Sequence, residues 1–409
     1  MNPNSLDRTL QGATSTGDTG SRALPGVVFM AKDIKRSLSY SKGFGIGSWS
    51  KEDSEIELDG VCFGASMTKL MTSIAAMQTV ERGLIGLDDD VSTILHEWKD
   101  AQILEGFGED GKPQLRRAKN KITLRLLLSH ASGISYDIMD PKLTQWRKSV
   151  GQEIGTFSGS IDAGYTFPLV YEPGEGWSYG AGIDWAGRLV ERLNGSISLG
   201  EYMQKNIWQP LGMNSTTFNI DKNPSLQKRR VDMSVRNAAG HIEALPAPVF
   251  ASPAQDDCGG IGVYTTAPDY MKVVEALLRS DDRILKLATV DEMFKPQLSD
   301  PIHLENVLKI PQMKSILAGN LPDGLKVNFG LGGLLNMESL PTGRLAGAMQ
   351  WGGMPNLFWN VRAFLLTKRQ WVDRESGVAA TYFSQLMPTG DPKSIELLTE
   401  LEGEVYKSL

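Results

Sequence analysis

The segment from Ser66 to Gly83 constrains this chain most. Met67, Leu70, Met71, Ile74, Met77 and Val80 recur at helical spacing, and Gly83 supplies the stop. Such a helix needs a protein large enough to cover its apolar face. A chain of 409 residues with 41% apolar and 22% charged residues can do so, and disorder, collagen and coiled coil are excluded for the chain as a whole. Net charge is −6, which gives no basic surplus for nucleic acid or an anionic membrane surface. No run of about 18 apolar residues marks a membrane-spanning helix. Two cysteines, Cys62 and Cys258, cannot build a disulfide framework and point to a reducing, cytoplasmic setting.

Strand-like runs cluster at the two ends of the chain. Val27–Met30 and Ser37–Phe44 come early; Ile261–Thr265, Gly330–Leu335, Leu345–Gln350 and Val378–Phe383 come late. Helical patterns lie at Ile183–Leu193, Pro268–Leu278 and Ser394–Tyr406, and the stretch between the strand groups is helix-rich. The expected organisation is a loose polar tail over 1–24, a discontinuous α/β domain from 25–90 and 251–409, and a mainly helical insertion over 91–250. Asp88-Asp89-Asp90 reads as capping and turn chemistry rather than a cation loop, because metal loops space their ligands. Arg116–Lys121 reads as a solvated basic face.

Metal chemistry fails on spacing, since His96, His130, His241 and His303 form no ligand pair. His130, in Ser129-His130-Ala131-Ser132-Gly133, fits a structural role in a turn. A nucleophile elbow of the G-x-S-x-G kind is absent from any suitable context. What remains is Ser66-Met67-Thr68-Lys69 at the head of the strongest helix. Residues three apart share a helix face, so the hydroxyl and the amine can meet, and a lysine kept partly neutral can take the serine proton. Alone, S-x-x-K also fits a helix cap beside an exposed lysine.

Two further segments add to it. In Glu172-Pro173-Gly174-Glu175-Gly176-Trp177-Ser178-Tyr179-Gly180-Ala181, a tyrosine after a turn can project into a cleft and act as acid or base, or be a buried aromatic. In Trp351-Gly352-Gly353-Met354-Pro355-Asn356, placed as an edge strand, paired glycines allow close approach of a ligand. The N–H groups of Ser66 and Met354 can serve as oxyanion donors. A strand with a bulge is the plain alternative.

Ser66-x-x-Lys69, a tyrosine motif and a Trp-x-Gly strand, in that order, resemble class C β-lactamases, serine penicillin-recognising enzymes and related esterases. The likeness runs through Phe63–Leu87, Leu126–Gly133, Pro173–Gly195 and Gly259–Met271. Leu104–Phe107, the Arg-rich stretch before Lys121–Leu124, Tyr179–Ala181 and Gly353-x-Pro355-Asn356 look like fungal polyketide acyltransferases of the lovastatin type. The resemblance implies an α+β, penicillin-binding-protein-like fold, with an antiparallel sheet flanked by helices and an inserted helical domain. It implies a serine acyl-enzyme without cofactor or metal, formed by Ser66, Lys69 and Tyr179. The implied donor is an acyl thioester, on a polyketide synthase carrier protein or CoA-like, and the acceptor is a small-molecule alcohol. A carboxylesterase using the same acylation, or a non-catalytic scaffold of this fold, are the alternatives.

Departures from the β-lactamase pattern bear on substrate. Ala181 stands where an asparagine is usual, and Trp351 stands where a lysine binds the β-lactam carboxylate, which suits a neutral, apolar acyl group. Trp351, Gly352 and Gly353 are therefore candidate substrate contacts. Residues 134–170, with Tyr136, Trp146, Phe157, Tyr165 and Phe167, shape an acceptor pocket or belong to the core. Val361–Gln370 stands before Trp371-Val372-Asp373 either as a hairpin extension or as a retained intron.

Overall fold

A computed structural model describes residues 3–15, 22–50, 54–362 and 377–409. Its main sheet has seven strands: β1 (Gly26–Asp33), β2 (Ser39–Gly45), β3 (Val327–Phe329), β4 (Leu334–Asn336), β5 (Met349–Gly353), β6 (Leu357–Val361) and β7 (Val378–Phe383). Their order is β2-β1-β7-β6-β5-β4-β3, and every pairing is antiparallel. The two ends of the chain thus meet in one sheet, with Phe29 opposite Tyr382 and Ala31 opposite Ala380.

Alternation along the strands divides the core between the two faces of this sheet. Six helices matter to the site: α1 (Pro3–Thr14), α2 (Thr68–Glu81), α3 (Gly182–Leu193), α4 (Ala267–Arg279), α5 (Pro311–Leu317) and α6 (Pro392–Lys407). Val27, Phe29 and Ala31 of β1, with Val378, Ala380 and Tyr382 of β7, pack against α1 and α6. Val28 and Met30 belong instead to the larger apolar cluster, which takes in α2, α3 and α4. That cluster draws on residues both inside and outside 91–250, so the sheet and the intervening segment share one continuous core.

Three expectations need correction. The loose tail gives way over Pro3–Thr14 to α1, because Leu6 and Leu10, one turn apart, bury against α6 under an otherwise polar composition. The segment 91–250 is less uniformly helical than its composition implies. It holds a hairpin, Gln102–Phe107 with Pro113–Arg117, and a short pair, Ser234–Arg236 with Ile242–Ala244. The Trp351-Gly352-Gly353 strand is interior rather than an edge: β6 pairs along its whole length, while β4 meets it only at Met349 and Gln350. The basic run Arg116–Lys121 is solvated as expected, with Arg116 at its start paired to Glu105 at 2.8 Å and Glu172 at 2.6 Å. From residue 363 on, the Val361–Gln370 stretch and Trp371–Asp373 lie outside the described residues. Among the described residues no helix is long and apolar enough to cross a membrane, and no group of acidic, His or Cys side chains is placed to hold a metal.

Candidate active site

The site begins at a strained turn. Ala65 has φ +44, a left-handed conformation that costs a non-glycine residue roughly 1–3 kcal/mol. It opens a single 3₁₀ turn, Ala65–Met67, that runs straight into α2. The turn is held from several sides. Thr68 Oγ1 donates to the Ala65 carbonyl at 2.7 Å, the Val263 N–H donates to Thr68 Oγ1 at 3.1 Å, and the Tyr270 hydroxyl donates to the Met67 carbonyl at 2.8 Å. The strand pair Cys62–Phe63 with Tyr264–Thr265 fixes the approach to it. Ser66, half-buried, is thereby presented with an N–H that has no partner within the turn.

One turn on, Lys69 is 1% exposed. Its ammonium donates to Ser66 Oγ at 3.2 Å, to the Tyr136 hydroxyl at 3.0 Å and to the Gly260 carbonyl at 2.7 Å. Tyr179 arrives on the loop leading into α3, and its hydroxyl lies 2.5 Å from Ser66 Oγ. The Lys69 nitrogen stands 4.7 Å from the centre of the Tyr179 ring. Gly180 is required here: a Cβ would come within 2.0 Å of the Ile134 carbonyl. Two residues one turn apart and a third distant in sequence thus form one unit of nucleophile, amine and phenol.

Strand β5 closes the other side. A Cβ on Gly353 would fall 2.4 Å from the Gly64 carbonyl, so the strand abuts the turn that carries Ser66. Immediately after β5, the Met354 N–H donates to no acceptor among the described residues. Ser66 and Met354 border the same cavity of about 450 Å³. Its walls are mostly apolar: Ile138, Met139, Phe157, Ile261, Met313, Ile316, Leu317 and Trp351. The polar atoms come from Ser66, Tyr136, Thr156, Tyr179, Gln312 and Thr389, and among the described residues no charged side chain lines it.

Sequence reasoning and structure agree unevenly around this cavity. Ser66, Tyr179, Tyr136, Trp351, Gly352, Gly353 and Met354 all line it, and Lys69 sits directly behind. Trp146 does not: it is half-buried against the main core, with the Arg147 guanidinium 5.9 Å from its ring. The helix Pro141–Ser149 turns Arg147 inward to Asp137 instead, and the neighbouring side chain must point elsewhere. Tyr165 and Phe167 are core residues, whereas Phe157 reaches the cavity. Ala181 is fully buried and offers no donor to the cavity.

Asp184 and Gly260 were not anticipated. Asp184 is wholly buried in the first turn of α3, where it accepts from the Tyr136 hydroxyl at 3.2 Å and from the Gly260 N–H at 2.8 Å. A lone carboxylate on the apolar face Ile183-Asp184-Trp185-Ala186 was the signal available. Burial raises its pKa, and the charge of Lys69 pulls it part of the way back. Burial, and then Asp184, also push the Tyr136 phenol well above its ordinary value. His130 packs edge-on to Tyr179 at 5.0 Å and stacks on Trp351 at 6.3 Å. Burial, helped by the charge of Lys69, holds its imidazole neutral well below the usual range.

A half-buried hydroxyl and phenol against a buried amine, with two backbone donors beside a mostly apolar cavity, can form and hold a covalent acyl group. The sequence model of the β-lactamase family matches residues 20–402. Monacolin J acid methylbutanoyltransferase of Aspergillus terreus is 35% identical over 394 residues, covering 94% of this chain and 92% of that protein. The lovastatin esterase of Penicillium rubens is 35% identical over 363 residues, covering 87% and 88%. The solved structure of unliganded simvastatin synthase from Aspergillus terreus superimposes with a TM-score of 0.87 at 33% identity, covering 100% of this chain and 99% of the other.

Proposed function

The chain belongs to the β-lactamase family, and from that premise we propose that it is a serine acyltransferase acting on a secondary metabolite. The observation that carries the reading is the contact of Ser66 Oγ with both the Tyr179 hydroxyl and the Lys69 ammonium at the floor of an uncharged cavity. The relatives named methylbutanoyltransferase and simvastatin synthase supply the direction of the reaction.

Acylation starts when the Lys69–Tyr179 pair takes the Ser66 proton and Oγ attacks the carbonyl carbon of an acyl thioester. The Ser66 and Met354 N–H groups hold the oxyanion of the tetrahedral intermediate. Its collapse breaks the C–S bond, and the departing sulfur takes the proton back from the pair. In the second half the pair removes the proton of an alcohol, whose oxygen attacks the acyl carbon. The C–Oγ bond then breaks and Ser66 recovers its proton. Lys69 and Tyr179 both reach Ser66 Oγ, at 3.2 and 2.5 Å, so they serve as one proton-accepting pair.

Trp351 stands in the wall where a cation would face an anionic substrate, and with Ile138, Met139, Phe157 and Met313 it suits a neutral acyl chain. A carrier-bound or CoA-like thioester is the proposed donor, and the two unpaired, buried cysteines fit a reducing, cytoplasmic setting. The relative named lovastatin esterase favours a second reading, in which water replaces the alcohol. Partitioning separates the two. With a short acyl thioester and increasing alcohol, a transferase yields ester in proportion to alcohol while free acid stays minor. Free acid as the main product at all alcohol concentrations makes the protein an esterase.

A further inference from the structure

Asp184 lies five residues after Tyr179, so the segment that delivers the phenol also delivers this carboxylate. Its two oxygens serve two arms. Oδ1 accepts from the Gly260 N–H at 2.8 Å and Oδ2 accepts from the Tyr136 hydroxyl at 3.2 Å. Lys69 is held by the same two residues, through the Gly260 carbonyl at 2.7 Å and the Tyr136 oxygen at 3.0 Å. Its third N–H reaches Ser66 at 3.2 Å, so every ammonium donor is used. The packing leaves no slack, since a Cβ on Gly260 would sit 2.2 Å from Asp184 Oδ2 and 2.9 Å from the Tyr136 oxygen. A carboxylate buried this completely is strongly unfavourable without a nearby cation, and Lys69 is the cation that lowers its pKa.

We propose that Asp184 is a positioning residue: by gripping Tyr136 and Gly260 it sets the Lys69 nitrogen against Ser66, with its negative charge behind the Lys69 ammonium. The inference rests on the reading of Ser66 as nucleophile. The titratable groups facing Asp184 are Lys69 from α2, Tyr136, Tyr165 and Cys258. Burial pushes the last three up, and His130, which faces Lys69, is held down. None of these four changes charge over the mildly alkaline range.

The test is the pH profile of acylation, read as kcat/KM for a short acyl thioester, in wild type and Asp184→Asn. The amide fits the same space and keeps an acceptor for Gly260, but it removes a negative charge one tyrosine hydroxyl away from Lys69. The acid limb moves down by about one pH unit, because a negative charge is removed behind the proton acceptor. At the plateau kcat falls at least ~10-fold while KM changes less than ~3-fold, which marks a loss of alignment rather than of binding. Limbs that coincide, or a change confined to KM, overturn the proposal. Should Asp184→Asn not fold, Tyr136→Phe, which cuts one arm, shifts the limb in the same direction by a smaller amount; no shift there overturns it equally. If wild type forms no acyl adduct at all, the Ser66 reading falls and takes this inference with it. An adduct with an unshifted limb removes the Asp184 inference alone.

Discussion

Ser66 and Tyr179, 113 residues apart, meet oxygen to oxygen at 2.5 Å. The contact joins a turn with a left-handed Ala65 to a loop fixed by Gly180, and it faces a cavity lined, among the described residues, by no charged side chain. Reactivity at Ser66 therefore depends on both sides of the contact together with Lys69.

Removing either proton carrier tests this directly. Lys69→Ala and Tyr179→Phe are each expected to lower kcat/KM for a thioester about 10²–10⁴-fold, the usual worth of a positioned acid or base. Because the two act as a unit, the double variant is expected to lose little more than the worse single one. Losses that multiply would assign them to separate steps.

Gly353 tests the placement of the oxyanion donors. Gly353→Ala puts a methyl group 2.4 Å from the Gly64 carbonyl and 3.0 Å from Met67 Cγ, so β5 must step away from the serine turn. The expected result is a fall of about 10²–10³-fold in the acylation rate, comparable to the loss of one oxyanion donor. Single-turnover acylation by stopped flow measures it, and an unchanged rate speaks against Met354 as a donor.

The cavity wall rests on a buried ion pair. Arg147 and Asp137 are 3% and 0% exposed at 2.9 Å, and Asp137 also accepts from the Gly155 N–H at 2.7 Å and from the Thr156 hydroxyl, next to Phe157. Arg147→Ala leaves the carboxylate buried without its cation, which costs about 3–5 kcal/mol. Urea unfolding should show this as a lower midpoint; a shift worth less than about 1 kcal/mol would place the pair among weak surface bridges.

His130 gives the stability a pH signature. The folded protein keeps this imidazole neutral well below its ordinary value, while the unfolded chain takes up a proton as the pH falls through about 6.5. The unfolded state then binds more protons, so the stability His130 contributes at neutral pH is lost as the pH drops below that value, at up to about 1.4 kcal/mol per unit. His130→Asn, which tolerates the φ of +59, removes this part of the slope. The Tm advantage of wild type over the variant is therefore expected to narrow from pH 7 to pH 5. An advantage constant with pH would mean that the imidazole takes up its proton in the folded state as readily as in the unfolded chain.

Local patterns in the sequence were read well where they act locally. The run Val378–Phe383 is strand β7 residue for residue, and the apolar spacing after Ser66 is α2. Ser66, Lys69 and Tyr179 stood out because each carries its own chemistry in a recognisable setting. What escaped depends on long-range packing. Whether Trp146 or Arg147 turns inward is settled by Asp137, and nothing in the helix Pro141–Ser149 announces that partner. Helix α1 was hidden because two leucines suffice once α6 offers a surface to cover them. Asp184 looked like one acid on an apolar helix face, and its meaning appears only when Gly260 and Tyr136 are brought beside it.

The central claim is a covalent acyl group on Ser66. Intact-mass measurement after incubation with a short acyl thioester, without alcohol, tests it in wild type and Ser66→Ala. The account predicts one acyl adduct on wild type, its peptide mapping to Ser66, discharged on adding an alcohol and absent from the variant. Turnover of the thioester by Ser66→Ala at the wild-type rate would contradict it.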